Sequence, residues 1–298
     1  MGILYVVATP IGNLEDITLR AVRILREAAL IAAEDTRKTR RLLGVHGIVT
    51  QVTSYHEANK KAKLGYLMRH LEEGDVALVS EAGMPGMSDP GYELIASAIS
   101  AGIKVVPVPG SSVILTALVV SGLPVHQFSY FGFLPRSPGE RRRLLSSIAE
   151  ERRTLVVFEA PHRLKESLED IARVLGDRKI AVCREMTKLH EEVFRGSVSD
   201  ALAHFGQPRG EFTLVIAGKE PNSQSNDVHE DIRDEVDSLR RQGMRLKEAV
   251  AFVGAASGVS KRVLYDKCKS SRPIEQEKRK CDVDVCQLET VRAITAEE

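Results

Sequence analysis

Leu4-Tyr5-Val6-Val7-Ala8 runs straight into Thr9-Pro10-Ile11-Gly12-Asn13-Leu14-Glu15-Asp16-Ile17-Thr18, and this junction decides the fold. The first stretch is apolar and strand-like. In the second, Pro10 removes a backbone donor, Gly12 permits a sharp reversal, and Asp16 or Thr18 is placed to cap a helix whose apolar pattern begins at Leu19. A strand, a loop and a helix in that order leave the crevice at the strand's carboxyl end open to a ligand. The same residues also read as no more than a tight turn, so the loop needs companions further along the chain.

The alternation continues. Residues 30–33, 76–79, 104–108 and 128–131 are strand-like, and residues 18–28, 60–72, 92–101 and 112–121 repeat apolar positions three and four apart. This is the pattern of an α/β fold, a mainly parallel sheet covered by helices. Residues 132–139, with Pro135 and Pro138, read as an interdomain linker, which sets a first α/β domain at 1–132. A second, at 133–220, has strands at 155–158, 180–183 and 212–217 and a helix at 161–175 opened by Pro161. The polar run 218–227 reads as another linker. A small helical module at 228–270 has the look of helix, turn and helix around Gly258-Val259-Ser260, and 271–298 is expected to be a disordered tail.

Composition narrows the classes. With 298 residues, 43% hydrophobic and 28% charged, the chain is globular and large enough for two domains and an appendage. A net charge of +1 gives no global pull toward nucleic acid, so any basic surface is local. The longest apolar run, 111–120, falls short of the roughly 20 residues a membrane span needs. No leader pattern opens the chain, and Cys183, Cys268, Cys281 and Cys286 form no C-x-x-C pair, so a reducing cytoplasm is expected and no metal or disulfide framework.

Two further loops follow strands. Ser80-Glu81-Ala82-Gly83-Met84-Pro85-Gly86-Met87-Ser88-Asp89-Pro90-Gly91 is far longer than a turn needs and reads as a backbone-lined ligand wall. Pro109-Gly110-Ser111-Ser112 leads into a helix that Ser111 or Ser112 is placed to cap. Three loops at strand ends of one sheet point to one crevice.

These loops, with Ala33-Glu34-Asp35-Thr36-Arg37, Ser54-Tyr55-His56-Glu57, Gly132-Phe133-Leu134-Pro135, Pro161-His162-Arg163, Arg184-Glu185-Met186-Thr187-Lys188 and Gly210-Glu211-Phe212, resemble the tetrapyrrole methylase superfamily. Within it they are similar to the bacterial 16S rRNA cytidine 2'-O-methyltransferases, over residues 4–219. The resemblance implies two α/β domains with S-adenosylmethionine in the cleft between them, a homodimer, and 16S rRNA of the small ribosomal subunit as substrate. Carried over by position, the cofactor contacts are Pro10, Gly12, Gly83, Met84, Pro85, Ser111, Ser112, Phe158, Glu159, Ala160, Phe212 and Thr213. Glu81 and Met84 depart from the aspartate and threonine usual in the family, and Met84 removes a hydroxyl from the presumed wall.

Transfer of a methyl group from a sulfonium to a ribose hydroxyl needs in-line positioning and a proton acceptor. Asp35, to orient or deprotonate the ribose, and Arg37, to hold an adjacent phosphate, are the leading pair, with Glu185 a third candidate. An ion pair opening the helix after Thr36 is the alternative reading of that pair, and His56 reads as structural. Arg37, Lys38, Arg40 and Arg41 form one RNA-binding cluster, and Lys261 and Arg262 of the helical module a second. Arg141-Arg142-Arg143 and Arg152-Arg153 stay undecided between RNA contact and solvated helix faces. A tetrapyrrole C-methyltransferase, or a non-catalytic ribosome-binding protein that keeps the fold, are the rival functions.

Overall fold

A computed structural model describes residues 1–220, 230–257 and 259–269. Residues 221–229 of the expected linker, Gly258 of the expected turn and the expected tail at 271–298 lie outside them. The chain divides into a unit at Met1–Lys219 and a second unit after it.

In the first unit, β1 (Ile3–Val7), α1 (Leu19–Glu27), β2 (Leu30–Ala33), α2 (Thr36–Val45), β3 (Val52–Ser54), α3 (Lys60–Glu73), β4 (Val76–Val79), α4 (Tyr92–Ser100) and β5 (Lys104–Val108) follow in order. The strands form an all-parallel sheet in the order β3-β2-β4-β1-β5. β2 and β4 are buried along their whole length, which is why both read as unbroken apolar runs. One face packs Ala21, Ile24 and Leu25 of α1, and the other Leu67, Leu71 and Leu94 of α3 and α4. Thr18 caps α1, its Oγ1 accepting from Ala21 N at 3.1 Å.

The second sheet is mixed. β6 (Phe128–Phe133), α6 (Pro138–Ser147), β7 (Thr154–Glu159), α7 (Leu164–Leu175), β8 (Lys179–Arg184), β9 (Glu192–Ser197), α8 (Val198–His204) and β10 (Phe212–Ile216) give the strand order β6-β7-β10-β8-β9. Only β6 and β7 run parallel. Leu164, Leu168 and Ile171 of α7 bury fully against one face, each worth roughly 2 kcal/mol. Ile114, Ala117 and Leu118 of α5 (Val113–Ser121) cover the other face, so this helix, which follows the first sheet, packs on the second.

Two expectations need correcting. Residues 132–139 are not a linker, because Gly132 and Phe133 complete β6 and Pro138 opens α6. β6 pairs with β7, so the chain crosses between sheets after α5 and before Phe128, ahead of the expected boundary at 132. The two prolines that looked like linker punctuation sit between a strand and the first turn of a helix, where proline lacks no needed bond.

Among the described residues the second unit has the helices α9 (Glu230–Arg241), α10 (Leu246–Ser257) and α11 (Lys261–Lys269). Val236, Val250, Val253, Leu264 and Cys268 form its core. Lys261 and Arg262 stand exposed in the first turn of α11. Among the described residues no helix is long and apolar enough to cross a membrane.

Candidate functional site

A cavity of about 430 Å³ opens where the carboxyl ends of the parallel strands face the second sheet. Ile11 follows β1, Glu34 follows β2, residues 81–84 and 87–89 follow β4, and residues 112–114 begin α5. From the second sheet come Phe133, residues 158–161, Cys183, Met186 and residues 211–213. The volume lies within the usual range for a small-molecule site.

The wall is built by backbone pairing. Thr9 N donates to Gly83 O at 2.9 Å and Gly83 N to Thr9 O at 3.0 Å, so the loops after β1 and β4 are joined by an isolated bridge. Gly83 has φ +76°, a conformation that favours glycine.

Of the cofactor residues expected from the sequence, Gly83, Met84, Ser112, Phe158, Glu159, Ala160, Phe212 and Thr213 line the cavity, while Pro10, Gly12, Pro85 and Ser111 do not. Gly12 is required for another reason. A Cβ there would lie 2.5 Å from Lys188 Cγ and 2.8 Å from Met186 O, so the first loop lies against residues 186–188. A Cβ on Gly110 would meet Ala8 Cβ at 3.0 Å, which makes that glycine a packing residue. Ser112 occupies the cap position of α5 without a side-chain cap bond, and Ser111 Oγ donates instead to Asp16 O at 3.2 Å, so neither serine caps the helix. The Glu159 carboxylate is buried on Ala160 N at 2.7 Å, the Arg163 guanidinium at 2.6 Å and the Ser167 hydroxyl, and is fully occupied by its own scaffold.

The three catalytic candidates also sit outside the lining. Asp35 caps α2, its Oδ1 accepting from Arg37 N at 2.8 Å and Lys38 N at 3.2 Å. These amides, that of Lys38 first, hold its carboxyl below the usual range and weaken it as a base. Arg37 pairs with it at 3.6 Å and is otherwise exposed, the helix-opening arrangement that competed with the catalytic one. Glu185, at φ +49°, accepts from Glu211 N and Lys188 Nζ, both at 2.9 Å. Burial alone would raise Glu185, but those partners outweigh it and lower its pKa. It acts as a strut beneath Glu211, a cavity residue.

The carboxylates that do line the cavity are Glu34, Glu81, Asp89 and Glu211, besides the occupied Glu159. Glu34 Oε2 accepts from Glu81 N at 3.0 Å, and Glu81 pairs with Lys38 on α2. Asp89 is pushed up to about 7, first by burial and then by the charge of Glu34, against a smaller opposing effect of Ser80. The sequence signal for this acid wall was Glu81 and Asp89 within one loop; Glu34 was obscured by its neighbour Asp35. Thus the cavity has apolar sides from Ile11, Met84, Val113, Ile114 and Phe158 and an anionic edge. Such a donor set suits a ligand with an apolar body and a positive charge.

Exposed Arg37, Lys38, Arg40 and Arg41 make one charged side of α2 beside this edge. By contrast Arg141 is 2% exposed and bonds Asp170 at 2.7 Å, which makes it a core ion pair and removes it from RNA contact. Arg153 pairs with Glu151.

Residues 3–202 match the model of the Tetrapyrrole (Corrin/Porphyrin) Methylases. The chain is 46% identical over 271 residues to the ribosomal RNA small subunit methyltransferase I of Halalkalibacterium halodurans, covering 89% of this chain and 94% of the relative. It is 51% identical to the protein of that name from Thermotoga maritima, whose whole length is matched by 223 residues, 74% of this chain. Among solved structures, diphthine synthase aligns with a TM-score of 0.57 at 16% identity over 72% of this chain and 90% of that one, which shows the fold. Uroporphyrin-III C-methyltransferase of Thermus thermophilus aligns with a TM-score of 0.52 at 21% identity over 72% of this chain and 94% of that one. The chain belongs to the tetrapyrrole methylase family, on the branch of its ribosomal RNA small subunit methyltransferase I relatives.

Proposed function

We propose that this protein is an S-adenosylmethionine-dependent methyltransferase that modifies the ribose 2'-hydroxyl of a cytidine in 16S rRNA of the small ribosomal subunit, acting as a cytoplasmic homodimer. The observation that carries the reading is the anionic, apolar-sided cavity at the strand ends, in a chain whose relatives over most of its length are named for rRNA methylation. When bound, S-adenosylmethionine supplies an electrophilic methyl group on a positively charged sulfur.

The chain's residues do the rest. Asp89 and Glu34 would supply negative charge to the sulfonium, and Ile11, Ile114 and Phe158 would exclude water from the apolar body of the ligand. Gly83 is taken up by Thr9, Ala160 N by the Glu159 carboxylate and residues 212–213 by the flanking strands, so at Met84, in place of a hydroxyl residue, the main chain is what remains for a polar contact with the adenosine. Glu34, with one oxygen on Glu81 N, keeps the other for a hydroxyl proton, whereas Glu81 is held by Lys38. α2 holds phosphates with Arg37, Lys38, Arg40 and Arg41, and Lys261 and Arg262 of the helical unit add a second contact.

The test is ribose methylation. Purified small subunits lacking the modification are incubated with the protein and labelled S-adenosylmethionine, then digested to nucleosides. Label in 2'-O-methylcytidine is the expected result. Label in no nucleoside would refute the reading, and label entering a tetrapyrrole supplied in a parallel reaction would establish the rival enzyme.

A further inference from the structure

β6 carries an irregularity that the site as described leaves unused. Its pairing with β7 runs Tyr130↔Val156 and then Phe133↔Phe158, three residues against two. The extra residue is a bulge containing Gly132 at φ +66°. Side chains alternate faces along a regular strand, so Phe133 would follow Phe131 into the core beneath α6 and α7. The bulge turns it to the opposite face, where it lines the cavity and meets Phe158 edge-on with centroids 5.4 Å apart. Ser88 Oγ and Tyr130 Oη hydrogen-bond at 2.6 Å beside the bulge, and a Cβ on residue 132 would come within 3.1 Å of that Ser88 oxygen.

The result is an aromatic ring held partly in water. Phe133 is 56% exposed, and Met87, of the same lining, is 47% exposed. Glu81 of the lining is tied to Lys38, so the basic helix α2 stands beside the cavity and offers its other cations to a polyanion. A ribose within a stack of bases cannot bring its hydroxyl into a cavity of about 430 Å³. The nucleotide must leave the stack, and an aromatic ring at the mouth replaces the stacking it loses.

We propose that Phe133, with Met87, forms a subsite for one unstacked nucleobase, that of the nucleotide whose ribose receives the methyl group. This rests on the methyl-transfer reading above. The sequence Gly132-Phe133 then has a purpose that neither strand propensity nor core packing requires: the glycine makes the bulge and the bulge aims the ring.

The test compares Phe133→Ala, Phe133→Leu, Phe133→Trp and Met87→Ala with wild type, by steady-state methylation of purified small subunits and by calorimetry with S-adenosylmethionine. Phe133→Ala is expected to lower kcat/KM by about 10- to 100-fold with cofactor affinity kept. Phe133→Trp should recover most of the loss, Phe133→Leu little, and Met87→Ala should show a smaller loss of the same kind. Unchanged kcat/KM in Phe133→Ala overturns the subsite. Full recovery by leucine also overturns it, because the residue is then a plain apolar wall. A drop in cofactor affinity that accounts for the lost turnover overturns it by placing the ring on the cofactor. A wild-type protein that methylates nothing in the subunit overturns the methyl-transfer reading, and this proposal with it, and the silent wild type tells that failure from the others.

Discussion

Binding of S-adenosylmethionine should weaken as pH falls through 7, and Asp89 is the reason. Its carboxyl is pushed up from 3.8 to about 7 by burial and by the charges of Glu34 and Glu81. A fixed positive charge in the cavity favours the ionised form, so binding releases a proton wherever Asp89 is protonated beforehand. For a group titrating at about 7, the ionised fraction falls from about nine tenths at pH 8 to about one tenth at pH 6. If only the ionised form holds the cation, Kd rises about tenfold over that interval, close to 1.4 kcal/mol. Stability of the ligand-free protein has the opposite sign. The folded-state pKa lies above the unfolded value, so the contribution of protonated Asp89 to the native state is full below 3.8, shrinks as pH rises from there, and is gone above about 7. A move from 3.8 to about 7 corresponds to roughly 4 kcal/mol as an upper bound. Asp89→Asn should therefore raise the melting temperature of the ligand-free protein at pH 8 while weakening the cofactor and flattening its pH dependence. Calorimetry from pH 6 to 8, in buffers of different ionisation enthalpy, reads both the Kd and the released proton. A flat Kd in wild type, or the same slope in Asp89→Asn, would refute the assignment.

Arg141→Ala should cost at most about 3–5 kcal/mol in urea denaturation, because it removes the nearest partner of Asp170, itself 4% exposed, and leaves it the longer contacts with Arg142 at 3.4 Å and Arg173 at 4.0 Å; a variant of wild-type stability would show the pair to be dispensable. Replacing Arg40 and Arg41 with Glu should weaken binding to small subunits at all salt concentrations and lower the salt slope by about 2, read by filter binding, with cofactor calorimetry unchanged. Deleting everything after Lys219 should leave a folded protein with normal cofactor affinity, since the Thermotoga maritima relative is matched over its whole length by 223 residues. The same deletion should raise the KM for small subunits and flatten its salt dependence if Lys261 and Arg262 touch RNA, and an unchanged KM would remove them from the interface.

The strand ends and their loops were legible in the sequence because each combines an unbroken apolar run with residues that must stop it, as Val79 passes into Ser80 and Val108 into Pro109. Which loop residue faces the ligand was not legible at the same resolution. Asp35 and Glu34 are adjacent acids at one strand end, and cap geometry, invisible in composition, turns the first onto α2 and leaves the second to the cavity. Gly12 stood out for the reversal it permits, yet its φ is not positive, and what requires a glycine there is the close approach of residues 186–188, far along the chain. Arg141 shows the limit of charge patterning: three consecutive arginines look like a solvated face, yet one is the largest fully buried side chain among the described residues. The sheet to which β6 belongs could not be read from its own residues, because pairing with β7 is a property of the partner.

The loop after β4 is fastened at Gly83 to Thr9, at Glu81 to Lys38 and at Ser88 to Tyr130. Its path is therefore dictated by anchors and not by the side chains strung between them. Such a segment has already lost most of its conformational entropy before a ligand arrives, so binding need not order it. A side chain next to an anchor is therefore free to be of any kind, a thioether at Met84 included, while the backbone beside it keeps its place.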